Sequence, residues 1–326
     1  MMRFRTTAAV AIAVLASAAC SGSQTASSIT GAPAVGSWMS PSARTGNGLL
    51  YVTNFGAGNV TVYAYHGGNS PSLAGTLTGF TQPEAPCADA KGDVFVPDDG
   101  TQTITEFAYG ATTPLQTLSD PGGTPTGCSV DPTTGNLAVA NFRTATAIVG
   151  DLLIFTGATG TPATYSVAGM PSPQSPAYDD KGDLFVDGYD STPSFAIAEM
   201  AAGQSTFTTL SVAGGTVHIP SEIQWGGTNL LVGDRFYLGN QASAAYRMSL
   251  SGTTLTIVGA TPFTGAGDVE SFTKRGSGST ATIVAPDFQN SQGLIYTFPS
   301  GMQSSTFAGT DRPNGAAIAQ KHPAKR

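Results

Sequence analysis

The chain contains, at residues 86–96, the stretch PCADAKGDVFV, in which a short strand, a polar turn and a more apolar strand follow one another. Related stretches occur at residues 127–139, GCSVDPTTGNLAV, and at residues 176–186, PAYDDKGDLFV. Weaker copies centre on residues 50–52, 230–232 and 283–285. A unit repeated about every 45 residues indicates a fold built from successive similar parts.

Further strands follow each copy of this unit. A third strand is predicted, for example, at residues 60–65, VTVYAY, and a fourth at residues 254–258, TLTIV. Alternating β-branched and aromatic residues are typical of strands packed between neighbouring sheets. Four short strands per repeat, about six repeats and no helical periodicity predict an all-β fold, a single six-bladed β-propeller. The last two repeats match the pattern less closely, so seven blades are the alternative.

The two ends of the repeat region are each incomplete. Residues 313–319, PNGAAIA, copy the first strand of a repeat, but no second strand follows them. Residues 49–52, LLYV, begin with a second strand and lack a first. We expect the C-terminal strand to pair with the N-terminal blade, because closing the ring removes an exposed sheet edge.

The first 20 residues have the features of an export signal. Arg3 and Arg5 precede the uncharged apolar run 8–15, and small residues then lead to Cys20. The apolar run is too short to span a bilayer permanently. Two interpretations fit Cys20: the lipidated first residue of a bacterial lipoprotein, which this segment resembles, or a residue near a plain cleavage site. Lipidation is the favoured interpretation; Ser17 departs from the lipobox, where Leu is usual at that position, and plain cleavage is the alternative.

The remaining boundaries follow from composition. Residues 21–45, rich in Ser, Thr and Gly, are predicted to form a flexible tether. The propeller is expected over residues 46–320, with a basic tail at 321–326. An export signal implies an extracytoplasmic location, either secreted or attached to the membrane of the cell envelope through a lipid on Cys20.

The charge balance argues against nucleic-acid binding. Lys and Arg number 14 and Asp and Glu 21, a net charge of −7, and no basic stripe interleaved with aromatic residues is visible. An acidic surface repels a phosphate backbone.

The first repeat carries a family resemblance. The stretches LYVTN at 50–54 and GNVTVY at 58–63 resemble the YVTN-type β-propeller repeat of extracytoplasmic and surface proteins. The Pro-x-Gly start and the Gly-Asp or Gly-Asn turn of the repeats resemble NHL repeats. The resemblance is tightest in the first three repeats. It implies a propeller outside the cytoplasm and leaves the function open.

Two cysteines occupy the same position in consecutive repeats. With Cys20 lipidated or removed, Cys87 and Cys128 are an even pair in an oxidising compartment, which favours a disulfide between blades. The alternative is two small buried thiols, if the neighbouring strands lie too far apart for bridging geometry.

A binding face is predicted where loops follow the second strands. Phe142, Tyr189, Arg235 and Tyr237 occur in three such loops, which should converge on one side of the propeller. Aromatic surface with hydrogen-bonding tips suits contact with a protein or a carbohydrate. The alternative is that these rings only pack the loops over the blades. The leading hypothesis is a noncatalytic scaffold that binds an envelope protein or glycan. A purely structural role in a surface layer is a further alternative.

A second function is implied by two fragments that resemble gluconolactonase-type propeller enzymes. Glu84, in Glu-Ala-Pro, resembles the family's Glu-Gly-Pro, and Asn314, in Pro-Asn-Gly, resembles its Pro-Asn-Gly. The resemblance implies a lactonase that holds Ca²⁺ or another divalent cation, although the fragments occur in a different order here. Without the lactonase function no cofactor or metal is expected.

Other patterns indicate structure rather than chemistry. The acidic runs at 89–93 and 179–183 fall at equivalent positions of the repeat and are predicted to be turns. His66, His218 and His322 have no metal-ligand spacing, although His218, close to Glu222, could reach the channel mouth. The nucleophile elbow of α/β-hydrolases and the phosphate-binding glycine loop are absent from the sequence.

Overall fold

The computed structural model describes residues 48–144, 149–239 and 242–321, which form a six-bladed β-propeller. The predicted signal peptide, Cys20, the tether and the tail beyond residue 321 lie outside these residues. Within the described part of the chain, no helix is long and apolar enough to cross a membrane.

Each blade is a sheet of four strands, and one blade has a fifth. From the channel outward, blade 1 contains β25 (Pro313–Ala319), β1 (Leu49–Asn54), β2 (Asn59–Ala64) and β3 (Ser72–Leu77). Blade 2 contains β4 (Cys87–Ala88), β5 (Val94–Asp98), β6 (Thr103–Phe107) and β7 (Pro114–Ser119). Blade 3 contains β8 (Gly123–Val130), β9 (Leu137–Thr144), β10 (Asp151–Phe155) and β11 (Ala163–Tyr165).

The remaining three blades follow the same order. Blade 4 contains β12 (Ser172–Tyr178), β13 (Leu184–Tyr189), β14 (Phe195–Met200) and β15 (Thr208–Thr209). Blade 5 contains β17 (Pro220–Trp225), β18 (Leu230–Asp234), β19 (Ala244–Ser251) and β20 (Thr254–Pro262), and β16 (Ser211–Ala213) pairs with β20 in parallel. Blade 6 contains β21 (Thr273–Arg275), β22 (Thr282–Asp287), β23 (Gln292–Thr297) and β24 (Gln303–Phe307). Short 3₁₀ turns occur at Thr156–Ala158, Tyr237–Gly239 and Gly278–Thr280.

The ring closes through the first blade, as the sequence predicts. β25 pairs antiparallel with β1, so that Leu49 lies opposite Ala319 and Val52 opposite Ala316. The C-terminal strand thus becomes the innermost strand of the N-terminal blade. The closure settles the blade count at six.

The core consists of six apolar clusters, each between two neighbouring blades. Strand β1 shows the principle: Leu49 and Tyr51 pack toward blade 2, whereas Leu50 and Val52 pack toward blade 6. Successive side chains of a strand point to opposite faces, and here both faces are buried. The second strands therefore read as continuous apolar runs rather than as alternating ones.

A buried Asn or Asp lies at or within three residues of the end of the second strand in every blade: Asn54, Asp98, Asn141, Asp187, Asp234 and Asp287. In blade 2, Asp98 accepts hydrogen bonds from the backbone N–H groups of Thr81 (2.9 Å) and Gln82 (2.8 Å). In blade 5, Asp234 accepts them from His218 and Ile219, both at 3.1 Å. These bonds hold the chain where it approaches the innermost strand, and they fix the residues that face the channel.

The acidic runs form turns. In the first run, Asp89 Oδ1 accepts hydrogen bonds from the backbone N–H groups of Lys91 and Asp93, both at 2.8 Å. Gly92 adopts a left-handed conformation, with φ of 91°, which a glycine adopts without steric cost. Asp179 makes the same two contacts with Lys181 and Asp183.

A disulfide joins blades 2 and 3. Cys87 in β4 is bonded to Cys128 in β8, with the two Cα atoms 5.6 Å apart. This is an ordinary separation for a bridge, so the innermost strands of adjacent blades are close enough to be linked.

Candidate functional site

A cavity of about 270 Å³ lies where the six innermost strands begin, at the ends of the second strands. We call it the loop-face cavity. Every blade contributes to its wall, which is formed by Glu84, Ala85, Thr126, Phe142, Gln174, Ser175, Tyr189, Ser221, Glu222, Arg235, Glu270 and Asn314. The cavity therefore lies on the propeller axis.

A second cavity, of about 450 Å³, occupies the other end of the channel. Its wall includes the Cys87–Cys128 disulfide, Trp225 and Arg275. Glu222 borders both cavities. Its carboxyl group thus lies at the junction between the two parts of the channel.

The two residues of the lactonase hypothesis are in contact. Asn314 Nδ2 donates a hydrogen bond to Glu84 Oε2 at 2.9 Å, and Asn314 Oδ1 accepts one from Thr53 Oγ1 at 3.0 Å. Burial raises the pKa of Glu84 well above its usual range, repulsion from Glu270 raises it further, and the Asn314 bond opposes the shift. This pair arises only because β25 closes the ring.

Gly315 allows this close approach. A Cβ atom at this position would lie 2.5 Å from Ala85 Cα and 2.8 Å from Thr53 Oγ1. Only a residue without a side chain lets β25 pass so near the backbone that carries Glu84. The Pro-Asn-Gly sequence therefore lies in a closely packed strand here and does not form a turn.

Glu222 is a carboxyl group of the wall that borders both cavities. It accepts a hydrogen bond from Ser175 Oγ at 3.0 Å, and Ser175 Oγ accepts one from the backbone N–H of Ile223 at 3.2 Å. Burial raises the pKa of Glu222 to about 8, and the bond from Ser175 opposes the shift. Asp187, directly behind Ser175 and fully buried, has a pKa raised well above its usual range by burial and by repulsion from Glu222.

Arg235 is held between two acids. Its guanidinium donates to both carboxylate oxygens of Asp268, at 2.8 and 2.6 Å, and contacts Glu270 Oε1 at 2.8 Å. Burial disfavours the charge, but the two carboxylates outweigh burial and raise the pKa of Arg235. The cationic group of the cavity is thus already neutralised by the protein.

Two of the three predicted aromatic residues line the cavity. The Phe142 and Tyr189 rings meet edge to face, with centroids 6.1 Å apart and an interplanar angle of 86°. Tyr237, which is predicted on the same loop face, does not line this cavity. It begins a tight 3₁₀ turn that directs its ring onto Tyr246, with centroids 5.5 Å apart, and it packs against the core between blades 4 and 5.

Three further aromatic residues were missed at the sequence level. Phe55, Phe236 and Phe288 follow the buried Asn54, Asp234 and Asp287 at the same end of their blades as Phe142 and Tyr189. The Phe55 and Phe288 rings lie 6.2 Å apart. The signal was present: in five of six blades an aromatic residue follows one or two positions after the terminal Asn or Asp.

The residues present do not fit a divalent-cation site. Among the described residues, no three His, Cys, Asp or Glu side chains are grouped so that they could hold a metal ion. The oxygen of Asn314 is bonded to Thr53, and its amide nitrogen faces Glu84. His218 does not line the cavity, since its Nδ1 lies 3.0 Å from Asp234 Oδ2.

Known proteins resemble the chain in fold alone. No protein-family profile matches it, and no curated protein matches it in sequence. Among solved structures, 1055 chains are similar, and such a wide likeness does not narrow the function. One of them belongs to the "Crystal structure of Nidogen/Laminin Complex"; the likeness covers 85% of this chain and 99% of that one, with a TM-score of 0.63 and 13% identity. The chain is therefore defined as a six-bladed β-propeller with a polar, aromatic-walled cavity on its axis.

Proposed function

We propose that this chain is a noncatalytic, extracytoplasmic binding protein that seats one sugar residue of a glycan in the loop-face cavity. The observation that supports this most strongly is the meeting of Phe142 and Tyr189 beside a floor of carboxyl and amide groups. Aromatic rings contact the apolar faces of sugars, and planar polar side chains bond their hydroxyl groups. A volume of about 270 Å³ suits one ring rather than a protein surface.

The test is binding to a glycan array, followed by calorimetry on each hit. Tyr189→Ala removes one wall of the cavity and should weaken binding about tenfold or more, which corresponds to the loss of one well-packed aromatic contact. Tyr237→Ala is the matched control, because that ring packs on Tyr246 away from the cavity. Equal losses in both variants would contradict the proposal.

A protein partner is the competing outcome of the same test. The similar nidogen/laminin structure is that of a protein complex, which is a reason to include it. The ligand would be a protein rather than a glycan if the chain bound no glycan on the array but captured one defined envelope protein, and if Tyr189→Ala abolished that capture.

The location is part of the proposal and rests on the sequence of residues 1–20. Replacing Cys20 by Ala should abolish incorporation of a radiolabelled fatty acid and release the protein from the membrane fraction. If the unaltered chain incorporates no fatty acid, the protein is secreted without a lipid anchor.

A lactonase is the second candidate, and the contact between Glu84 and Asn314 is the observation in its favour. Since the donor set does not fit a metal ion, we derive no metal-dependent step. Lactone hydrolysis measured with and without a chelator, and again in Glu84→Gln, decides the matter. Chelator-sensitive turnover that Glu84→Gln abolishes would support the lactonase against the binding protein.

A further inference from the structure

The walls of the loop-face cavity leave its negative groups without a free cationic partner. Glu84, Glu222 and Glu270 all border it, and Arg235 is the one cationic side chain in its wall. Both carboxylate oxygens of Asp268 and one of Glu270 already accept from Arg235. A ligand that enters the cavity therefore meets acidic groups and no uncommitted positive charge.

The neutral donors of the wall are also largely engaged. Asn314 Nδ2 donates to Glu84, Ser175 Oγ to Glu222, and Thr126 Oγ1 to the backbone oxygen of Gln174 at 2.6 Å. Conversely, the acceptor Gln174 Oε1 is buried and has no donor among the described residues. An unsatisfied buried acceptor is costly and is explained most simply by a donor on the ligand.

The aromatic pair is a separate observation with the same implication. Phe142 and Tyr189 stand edge to face at 6.1 Å, and both line the cavity. The electron-rich faces of aromatic rings attract cations, and the attraction grows when water is excluded. The wall of the cavity thus combines carboxyl groups with aromatic rings, and both kinds of group attract an ammonium group.

We propose that the bound sugar carries a free primary amine, which the loop-face cavity receives as an ammonium group against the carboxyl group of Glu222. This inference rests on the proposed function, because it concerns the ligand of the same cavity. A glycan with unacetylated hexosamine units meets the requirement. Its hydroxyl groups supply donors to Gln174, and its ammonium group supplies the missing charge.

Binding of an ammonium group should release protons from the protein. Burial raises the pKa of Glu222 to about 8, so this carboxyl group is largely protonated in the free protein at neutral pH. A nearby positive charge favours the ionised form and displaces that proton. The charged and titratable groups that interact with the three glutamates of the wall are Arg235, Asp268, Asp187, Asp98, Asp99 and Tyr189.

The experiment compares a deacetylated chito-oligosaccharide with its fully N-acetylated counterpart. Titration calorimetry of the full chain at about pH 6, where both the amine and Glu222 carry a proton before binding, gives affinity and proton release together when it is repeated in two buffers of different ionisation enthalpy. We expect the amine form to bind roughly tenfold or more tightly, in the range of one charge-assisted hydrogen bond, and to release protons. Glu222→Gln should reduce both effects, whereas Glu199→Gln, remote from the cavity in β14, should change neither.

The outcomes separate the two claims. Equal affinity for both oligosaccharides, or tighter binding of the acetylated one, would overturn the amine while leaving the glycan-binding function. Failure of both to bind, with Glu222→Gln and the unaltered chain equally well folded, would overturn both.

Discussion

Asn314 Nδ2 donates a hydrogen bond to Glu84 Oε2 at 2.9 Å across a separation of 230 residues. The bond joins the last strand of the chain, which completes blade 1, to the start of blade 2. Ring closure and the floor of the loop-face cavity thus depend on the same residues. A change that loosens the closure should also alter the cavity.

Replacing Asn314 by Ala should lower the free energy of unfolding by about 1–3 kcal/mol, because Glu84 and Thr53 both lose a buried partner. Urea unfolding followed by circular dichroism measures the change. Asn290→Ala, which alters a loop contact with Asp287 outside the closure, serves as the comparison. An Asn314→Ala protein as stable as the unaltered chain would argue against a structural role for this bond.

Gly315→Ala should destabilise the ring by about 1–3 kcal/mol, since its Cβ would lie 2.5 Å from Ala85 Cα and force β25 away. Gly127→Ala is a matched control on another innermost strand, where the nearest atom to the added Cβ is 3.5 Å away. Thermal unfolding of the two variants should differ clearly. Similar melting temperatures would mean that β25 has room to shift.

Removal of the disulfide should cost about 2–4 kcal/mol of stability, as for a bridge that closes a loop of 41 residues. The double variant Cys87→Ser, Cys128→Ser is compared with the unaltered chain under oxidising and reducing conditions. Reduction should bring the unaltered chain to the stability of the variant. If reduction leaves the unaltered chain unchanged, the bridge does not form in solution.

Stability should fall as the pH rises from about 5 toward 8. Burial raises the pKa of Glu222 from its ordinary value of 4.5 to about 8 in the folded chain. The folded state therefore binds more protons than the unfolded state in that interval, and each such group lowers stability by up to about 1.4 kcal/mol per pH unit. Glu84 and Asp187 are shifted in the same direction and act with the same sign. Glu222→Gln should flatten the profile in part; stability that rises over this interval would show that burial does not hold these carboxyls protonated.

The blades and their closure could be predicted because local pattern dictates them. The second strands have both faces buried, which leaves continuous apolar runs, and the incomplete repeats at the two ends can only complete each other. The convergence of Phe142, Tyr189 and Arg235 on one cavity could be predicted for the same reason, since equivalent loops of a ring converge.

Other parts of the cavity could not be predicted from local sequence. Glu270 lies in a loop and Gln174 in β12. Their positions depend on hydrogen bonds from the neighbouring residues Asp268 and Ser175 to the buried Asp287 and Asp187. Tyr237 was predicted to share a loop face with these residues because it follows a second strand, but its ring packs on Tyr246 and does not line the cavity. Tyr246 lies in the next strand of the same blade, so the loop sequence around Tyr237 does not reveal this contact.

The most direct test of the account is hydrogen–deuterium exchange of the full chain with and without a bound amino-oligosaccharide. Four segments far apart in sequence, around residues 84–86, 220–223, 268–271 and 313–316, should become protected together, while the outer strands β3 and β24 stay unchanged. Protection confined to residues 88–90 and 274–276 at the opposite end of the channel, or to the outer strands, would contradict a ligand site at the loop-face cavity.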